Sequence, residues 1–131
     1  MSGTDSFASQ LAALLQDYTE DVTTVTKQAV DDTADAVNTE IQKHANPKWG
    51  KYLRAFEIKT TYEDRFEKRN TWHVKAPHYR LTHLLEKGHD YVGRDGKRKK
   101  GAAKPIPHIQ YGQEIAEKML EQEIAEGIEK L

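Results

Sequence analysis

Apolar residues at helical spacing over the first 45 residues constrain the fold of this chain more than any other feature of its sequence. They recur at steps of three and four, in the order Phe7, Leu11, Leu14, Tyr18, Val22, Val25 and Ala29. Asp5 and Ser6 are favourable N-cap residues, and Pro47 disfavours helical geometry in the residue before it, so the pattern predicts one amphipathic helix that ends near residue 45. A straight helix of about 40 residues is roughly 60 Å long, whereas a compact domain of this chain length has a radius of gyration of about 14 Å. The helix must therefore project, bend or break.

The segment from Asp31 to Asp35 is the expected position of a break. Asp32 is able to cap a second helical segment, and the β-branched residues just before it weaken the helix locally. If the helix does not break, its exposed part is expected to be a packing arm for a neighbouring subunit.

The middle of the chain predicts a small antiparallel sheet. Residues 56–62 alternate between apolar and polar side chains, and residues 66–76 repeat that alternation around a polar centre. Residues 81–85 fit either a strand or one helical turn. Residues 90–104 have the composition of an exposed loop, after which Ile106 and Ile109 are candidates for a short edge strand.

The last part of the chain, residues 115–131, repeats apolar residues at helical spacing with glutamates on the other face. The predicted fold class is therefore α+β, with a long N-terminal helix, a small antiparallel sheet of three to four strands with an extended basic loop, and a C-terminal helix packed on the sheet. We expect a single domain over residues 1–131, with the acidic helix in 1–45, the strands and basic loop in 46–110 and the C-terminal helix in 111–131.

The composition predicts a thin core. Hydrophobic residues make up 37% of the chain and charged residues 31%, so the protein is expected to be elongated or to bury further surface in an assembly. No stretch approaches the roughly 18 apolar residues of a membrane span, and no basic patch leads into an apolar block near Met1, so we expect a soluble, unexported protein without a membrane partner. The absence of cysteine excludes disulfides and thiolate zinc sites and fits a reducing cytoplasm.

Charge is strongly sorted along the chain. Residues 1–45 carry two lysines against eight acidic residues, a net charge of −6; residues 46–104 carry 16 basic against seven acidic residues, a net charge of +9; residues 105–131 have a net charge of −4. This arrangement fits subunits that meet acidic end to basic middle, or an anionic partner at the middle. Neutralisation within one subunit is the alternative reading.

Candidate catalytic and metal-binding residues were weighed against structural roles. His83, Glu86 and His89 are potential metal ligands, but His83 and Glu86 share a face only in a helix, and Gly88 is expected to redirect His89. Hydrogen bonding to the backbone at the entrance to the loop is the favoured role for these side chains. The chain has no nucleophile elbow, phosphate-binding loop or zinc-protease motif, so we expect neither an enzyme nor a cofactor.

An ordered string of residues, Tyr79-Arg80-Leu81-Thr82-His83-Leu84-Leu85-Glu86-Lys87-Gly88-His89, is followed by a glycine-containing basic loop and by Pro107-His108-Ile109. A Pro-x-x-Gly-x-Tyr segment, Pro47 to Tyr52, precedes it. In these features the chain resembles the tail-component family of long-tailed bacteriophages, small neck or tail-completion proteins that carry an Arg-Leu-Thr-His-Leu-Leu-Glu-x-Gly-His run, a glycine-containing loop and a Pro-His-Ile return. We refer to Tyr79–His89 and Pro107–Ile109 as the signature segments.

The resemblance implies a structural protein of the virion, made in the cytoplasm of the host bacterium and placed at the head-to-tail junction. There it would form a ring, expected to be a hexamer, between the head connector or stopper protein and the tail terminator or tail-tube protein. The genomic DNA in the channel is a further expected contact. The interaction residues implied are those of the signature segments: Tyr79, Arg80, Leu81, His83, Leu84, Leu85, Glu86, Gly88, His89, Pro107, His108 and Ile109.

The basic loop is the feature with the most direct physical partner. Its cationic residues are Arg94, Lys97, Arg98, Lys99, Lys100 and Lys104. Such a loop is able to follow a phosphate backbone without reading base sequence, so we predict contact with DNA or a neighbouring ring; a solvated loop is the alternative. Relatives often carry a Gly-Gly-Arg stretch here, a departure that weakens any transfer of the loop's contacts. A stand-alone nucleic-acid-binding module is the second function that the sequence supports.

Overall fold

The computed structural model of the protein describes residues 3–92, 96 and 98–131, with side chains described for residues 6–88, 96 and 104–131. Helices and two pairs of short strands follow one another along the chain. In chain order they are α1 (Gly3–His44), α2 (Gly50–Arg54), β1 (Phe56–Glu63), β2 (Lys68–Val74), a 3-10 turn (His78–Leu81), α3 (Thr82–Lys87), β3 (His89–Val92), β4 (Arg98–Ala103) and α4 (Ile109–Glu129). The mixed helix-and-sheet class is as predicted.

Helix α1 is continuous over 42 residues, so the predicted break at Asp31–Asp35 is wrong. Asp32 does not cap a second segment, because its carboxylate accepts a hydrogen bond from Gln28 Nε2, one turn earlier in the same helix, at 2.9 Å. The neighbouring Asp31 carboxylate accepts hydrogen bonds from Lys68 Nζ and Asn70 Nδ2, both at 2.9 Å. The β-branched residues fit the helix because their hydroxyl groups donate to carbonyl oxygens one turn earlier, as in Thr26 to Val22 at 2.8 Å. The helix is about 63 Å long.

The N-terminal part of α1 is exposed, and within it the stretch from Leu15 to Glu20 lies beside Arg65 and Phe66 of the connection between β1 and β2. We name residues 7–21 the α1 arm, because every one of these residues is exposed. Its apolar side chains are between 45% and 66% exposed: Phe7, Leu11, Leu14, Leu15 and Tyr18. An exposed segment is what an unbroken helix predicts, and its role as a packing arm for a neighbouring subunit stays a prediction.

Helix α4 runs antiparallel to α1 and packs mainly along it. Two glycines allow the close approach: a Cβ on Gly112 would lie 2.7 Å from Ile41 Cγ1, and a Cβ on Gly127 would overlap Val25. At the start of α4 the Tyr111 ring stacks on the His44 ring, with 3.6 Å between centroids. Packing of α4 on the sheet, which the sequence predicts, is not confirmed, because the apolar stripe of α1 provides the surface that the glycines fit.

The strands form two separate antiparallel pairs, β1–β2 and β3–β4, so one sheet of three to four strands is not confirmed. In the first pair Phe56 is opposite Val74 and Ile58 is opposite Trp72, with an irregularity between Thr60 and Tyr62. The pairs are separated because the 3-10 turn and α3 lie between β2 and β3.

Two local predictions in the basic region are corrected. Residues 98–103 form strand β4 instead of an exposed loop, because β3 supplies backbone partners to a segment without apolar alternation. Ile106 and Ile109 form no edge strand, since Ile109 is the first residue of α4 and the Ile106 N–H donates to the Leu85 carbonyl oxygen at 2.8 Å.

The interior is small, as the composition predicts. Among the side chains that the structure describes, six apolar residues are buried: Ala29, Ile41, Ala45, Tyr52, Ala55 and Val74. The last three form a cluster at the start of the β1–β2 pair, which also covers one face of α1 through Lys68 and through a 2.9 Å hydrogen bond from Trp72 Nε1 to Asn38. No helix within residues 3–92 and 98–131 is both long enough and apolar enough to cross a membrane.

Candidate functional site

The two signature segments meet at the start of α4. The Glu86 carboxylate, on α3, accepts hydrogen bonds from three consecutive backbone N–H groups: those of His108 at 2.7 Å, Ile109 at 2.9 Å and Gln110 at 3.3 Å. The first N–H groups of a helix have no partner within the helix, and His108 provides no side-chain cap for α4. Glu86 therefore caps α4 from another element, and its negative charge also suits the positive end of the helix dipole.

His108 extends this contact into the core. Its side chain is fully buried, and its Nε2 lies 2.8 Å from the Tyr52 hydroxyl oxygen. Its Nδ1 lies 3.0 Å from the Ile106 carbonyl oxygen and 2.7 Å from Glu86 Oε1. Since Nδ1 faces only acceptors, it carries a proton, and Nε2 shares a hydrogen bond with the Tyr52 hydroxyl.

The surroundings of Tyr52 favour its neutral form. Burial raises the pKa of the Tyr52 hydroxyl, the Thr82 hydroxyl at 3.4 Å opposes this increase, and the nearby Glu86 charge adds to it. A phenol with a raised pKa keeps its proton, so the hydroxyl beside the imidazole is uncharged. We name Tyr52, Glu86 and His108, with the three N–H groups that Glu86 binds, the Glu86 clamp.

Aromatic rings enclose the clamp. Trp49 meets the His108 ring edge-on with 5.3 Å between centroids, and Phe56 lies nearly parallel to it at 6.2 Å. Trp72 in turn packs edge-on against Phe56 at 4.8 Å. Both tryptophans thus pack against the buried cluster.

The clamp also closes the base of the β3–β4 hairpin. Leu85 and Glu86 lie just before β3, and Ile106 to Gln110 follow β4. The Ile106–Leu85 backbone hydrogen bond and the Glu86 contacts hold these two ends together. Residues 81–85, whose conformation the sequence left open, are helical apart from Leu81, and Gly88 ends α3 with a φ of 76°, the bend that the sequence predicts.

Other signature residues lie outside the clamp. Leu85 packs against the buried cluster, whereas Tyr79 and Leu81 are exposed and Arg80 lies over the Tyr79 ring. His83 is exposed, and Leu84 and Pro107 are half-buried.

Glu86, one of the three potential metal ligands, has another role. Glu86 turns towards α4, and the side chain of His89 lies outside the described residues. Within the part of the chain that the structure describes, no three His, Asp or Glu side chains are grouped to hold a metal.

The structure describes only some of the basic residues that are predicted to make contacts. Arg94 and Lys97 lie outside the described residues. Arg98, Lys99 and Lys100 belong to β4, for which the backbone is described, and Lys104 is exposed after it.

A second basic surface was not predicted. Lys51 and Arg54 on α2, with Lys75 and His78 after β2, line a shallow depression together with Ala55 and Ala76; we name it the basic concavity. Its three lysine and arginine side chains are exposed, and none of them forms an ion pair with another described residue. Their spacing in the sequence gave no signal, because backbone pairing from Lys75 to Ala55 brings the two stretches together.

Sequence reasoning also missed the role of Tyr52. The turn that contains it was recognised, but its hydroxyl meets His108 across 56 residues. An available signal was the start of α4, where Pro107-His108-Ile109 lacks the Ser, Thr, Asp or Asn expected at an N-cap and so requires an acceptor from elsewhere.

Fold and site together define a small α+β module with a long, partly exposed helix and a buried side-chain clamp between its two signature segments. No protein-family model, no curated protein and no solved structure matches this chain.

Proposed function

We propose that the protein is a structural subunit of the head-to-tail junction of a long-tailed phage. In this proposal copies of the chain form a ring, expected to be a hexamer, that completes the tail or neck between the head connector and the tail terminator. The proposal combines the resemblance of the signature segments with one structural observation. Glu86 and His108, which belong to the two segments, hold each other and the start of α4 instead of facing solvent.

A non-enzymatic role is part of the proposal. Tyr52, His108 and Glu86 form a chain of proton donors and acceptors, an arrangement that also occurs in catalytic sites. Here the His108 side chain is fully buried, so a substrate would have no access to either ring nitrogen. The clamp therefore suits a device that fixes the hairpin and α4, the role expected of a motif in an assembly protein.

Two exposed surfaces, the α1 arm and the basic concavity, support the proposal that the chain assembles with other copies. The α1 arm exposes five large apolar side chains, and the basic concavity carries cations without described partners. The arm carries Asp17, Glu20 and Asp21 and no lysine or arginine, so copies of the chain offer each other opposite charges. Each strand pair also has outer edges that are unpaired among the described residues, and joining them between subunits would give the predicted sheet of three to four strands.

Deletion of the gene and an analysis of the proteins in purified virions test the proposal. Cells infected with a phage that lacks the gene for this chain should accumulate separate heads and tails. The wild-type chain, supplied in trans, should restore joining. Mass spectrometry of purified virions should find the chain at a constant copy number. Infectious, tailed virions that lack the chain would refute the proposal.

A nucleic-acid-binding module is the second candidate, and the basic concavity is the observation that favours it. Cations from α2 and from the segment after β2 face one depression, which suits a phosphate backbone. This function predicts that the isolated monomer binds duplex DNA without base preference and with strong salt dependence. The structural function predicts little binding until a ring forms, so titration of monomer and ring fractions with labelled duplex separates the two.

A further inference from the structure

We propose that the α1 arm of one copy docks in an apolar groove of a second copy, between α1, β2 and α4. This inference rests on the proposed ring and identifies the contact that would close it. The groove has a volume of about 420 Å³ and is open to solvent. Its lining is mainly apolar and includes Val30, Val37, Trp72, Ala116 and Leu120.

The arm continues an apolar stripe that is already used for packing. Val25 and Ala29, one part of the stripe, face α4 within the same chain, and the stripe then runs on through Tyr18, Leu14 and Leu11. Helix α4 ends at Glu129, near the level of Val25, so it does not extend along the arm. The arm is thus the uncovered continuation of an established helix-packing surface.

A chain is unable to fill its own groove with its own arm. Both belong to one unbroken helix, and Tyr18 and Val30 are separated by about 18 Å along its axis. The arm that enters the groove must therefore come from another copy.

The arm and the groove match in length and chemistry. Leu11, Leu14 and Tyr18 occupy positions i, i+3 and i+7 of the arm and span about 10 Å, which equals the spacing from Val30 to Val37 along the groove. Such spacing is typical of a helix that lays its apolar face in a groove.

One polar group in the groove also lacks a partner. Thr33 is buried and lines the groove, and its hydroxyl makes no hydrogen bond within the described part of the chain. Tyr18 would bring a hydroxyl group with its ring, which suits that position.

Two considerations favour this arrangement over pairing of two arms. Each arm carries three acidic residues and no basic one, so two adjacent arms would repel each other more than an arm is repelled by the groove, whose lining includes one acidic residue, Glu117. One arm and one groove per chain, placed on different surfaces, also make a heterologous contact, and such contacts close rings when the rotation between copies allows it.

The chain has no cysteine, which makes cross-linking a direct test. The double variant Leu14→Cys/Ala116→Cys of the full chain, treated with a short bismaleimide, should give a ladder of covalent oligomers that ends at the ring. The variants Leu14→Cys and Ala116→Cys alone should remain monomeric on a denaturing gel. Ser9→Cys/Ala116→Cys is the matched control, because Ser9 is exposed on the opposite face of the arm from Phe7 and Leu11.

Dimers from Leu14→Cys alone would show that arms pair with each other and would overturn the proposal. A double variant that stays monomeric would also overturn it, as would an equal ladder from the Ser9 control. Native mass determination of the unmodified chain separates this outcome from failure of the proposed function: a ring without cross-links refutes the groove contact alone.

A solution measurement checks the same contact without cysteines. Leu11→Asp should weaken association at least about tenfold, because it places a charge in a buried apolar contact, whereas Ser9→Asp should have little effect. Leu11 is exposed in the single chain, so circular dichroism should show unchanged folding of the variant. Unaltered association of Leu11→Asp would contradict the proposal.

Discussion

Glu86 links α3 to the start of α4 and to the buried His108. One carboxylate serves three N–H groups at the start of α4 and lies beside the buried His108 ring, and its side chain is only 15% exposed. Charged acceptors make stronger hydrogen bonds than neutral ones, and buried groups that lose their acceptor are costly. The stability of the whole hairpin base should therefore depend on this side chain.

We predict that Glu86→Ala lowers the free energy of unfolding by about 2–4 kcal/mol, since it removes a cap and leaves buried donors without an acceptor. Glu86→Gln keeps an acceptor oxygen and should cost about 1–2 kcal/mol. Urea denaturation followed by circular dichroism measures both. Glu121→Ala, on the exposed surface of α4, is the control and should change the value by less than about 0.5 kcal/mol. An equally small effect of Glu86→Ala would exclude the capping role.

Asp31 gives a prediction about pH. Hydrogen bonds from Lys68 and then Asn70 lower the pKa of Asp31 below its ordinary value of 3.8. A carboxyl group with a lowered folded-state pKa stabilises the fold above its unfolded-state pKa, and this contribution is lost as the pH falls through the folded-state pKa.

Asp31→Asn should therefore reduce the free energy of unfolding at pH 6, by less than about 1 kcal/mol because the pair is partly exposed, and should have a smaller effect at pH 3. Urea titrations at the two pH values measure the difference. Asp17→Asn on the α1 arm serves as the reference substitution. An effect of Asp31→Asn that grows towards pH 3 would contradict the assigned role of the Lys68 contact.

At the scale of elements, the close packing of α1 against α4 depends on a glycine, which has no side chain, at position 112. Ile41 is almost completely buried, and a Cβ on Gly112 would lie within 3 Å of atoms of both Ile41 and Val37. Both neighbours are β-branched and have few alternative rotamers. The helices would have to separate to accept even one methyl group.

Gly112→Ala should accordingly lower the free energy of unfolding by about 1–3 kcal/mol, although alanine has the higher helix propensity by about 1 kcal/mol. Thermal and urea unfolding measure the change. The neighbouring exposed residue provides the comparison, since Gln113→Ala should be neutral to slightly stabilising. A stabilising effect of Gly112→Ala would mean that the helices are not in close contact there.

The elements also show which structural features a sequence of this kind reveals. The existence of α1, the β1–β2 pair and α4 follows from periodicity, because each places apolar residues on one face. The continuity of α1 does not, because the partner of Asp31 is Lys68, 37 residues away. The division into two strand pairs depends on the helical conformation of residues 82–87, which four or five residues of apolar pattern do not distinguish from a strand.

The clamp shows the same limit at the candidate site. Glu86 and His108 were both singled out by the resemblance, yet no local pattern links residues separated by 22 positions. The contact exists because α3 and the start of α4 lie side by side in the fold. The basic concavity was missed for the same reason, as its cations come from two stretches that meet only through the pairing of Lys75 with Ala55.

At the scale of the whole molecule, the sorted charges have a structural counterpart. The acidic α1 arm is exposed, and among the described side chains its charges form one ion pair, between Glu20 and Arg65 at 3.7 Å, whereas the basic concavity lies elsewhere on the molecule. A cationic surface of a second copy is therefore a natural partner for the arm, and an acidic surface of a second copy or a polyanion is a natural partner for the basic concavity. The proposed ring uses the arm for contacts between copies and leaves the β3–β4 hairpin available to DNA or to an adjoining ring.

Charge reversal of residues 97–100 to glutamate should separate these uses. If the hairpin contacts DNA or an adjoining ring, the variant should lower the yield of joined heads and tails at least about tenfold, because several phosphate or carboxylate contacts become repulsive. The ring itself, closed by the arm, should form as in the wild type, which native mass determination checks. Lysine-to-glutamate changes at Lys51 and Lys75 provide a control on the basic concavity, with half the charge change of the 97–100 variant. Normal joining by the 97–100 variant would show that the hairpin is a solvated surface, and joining lost only in the control would assign the contact to the concavity.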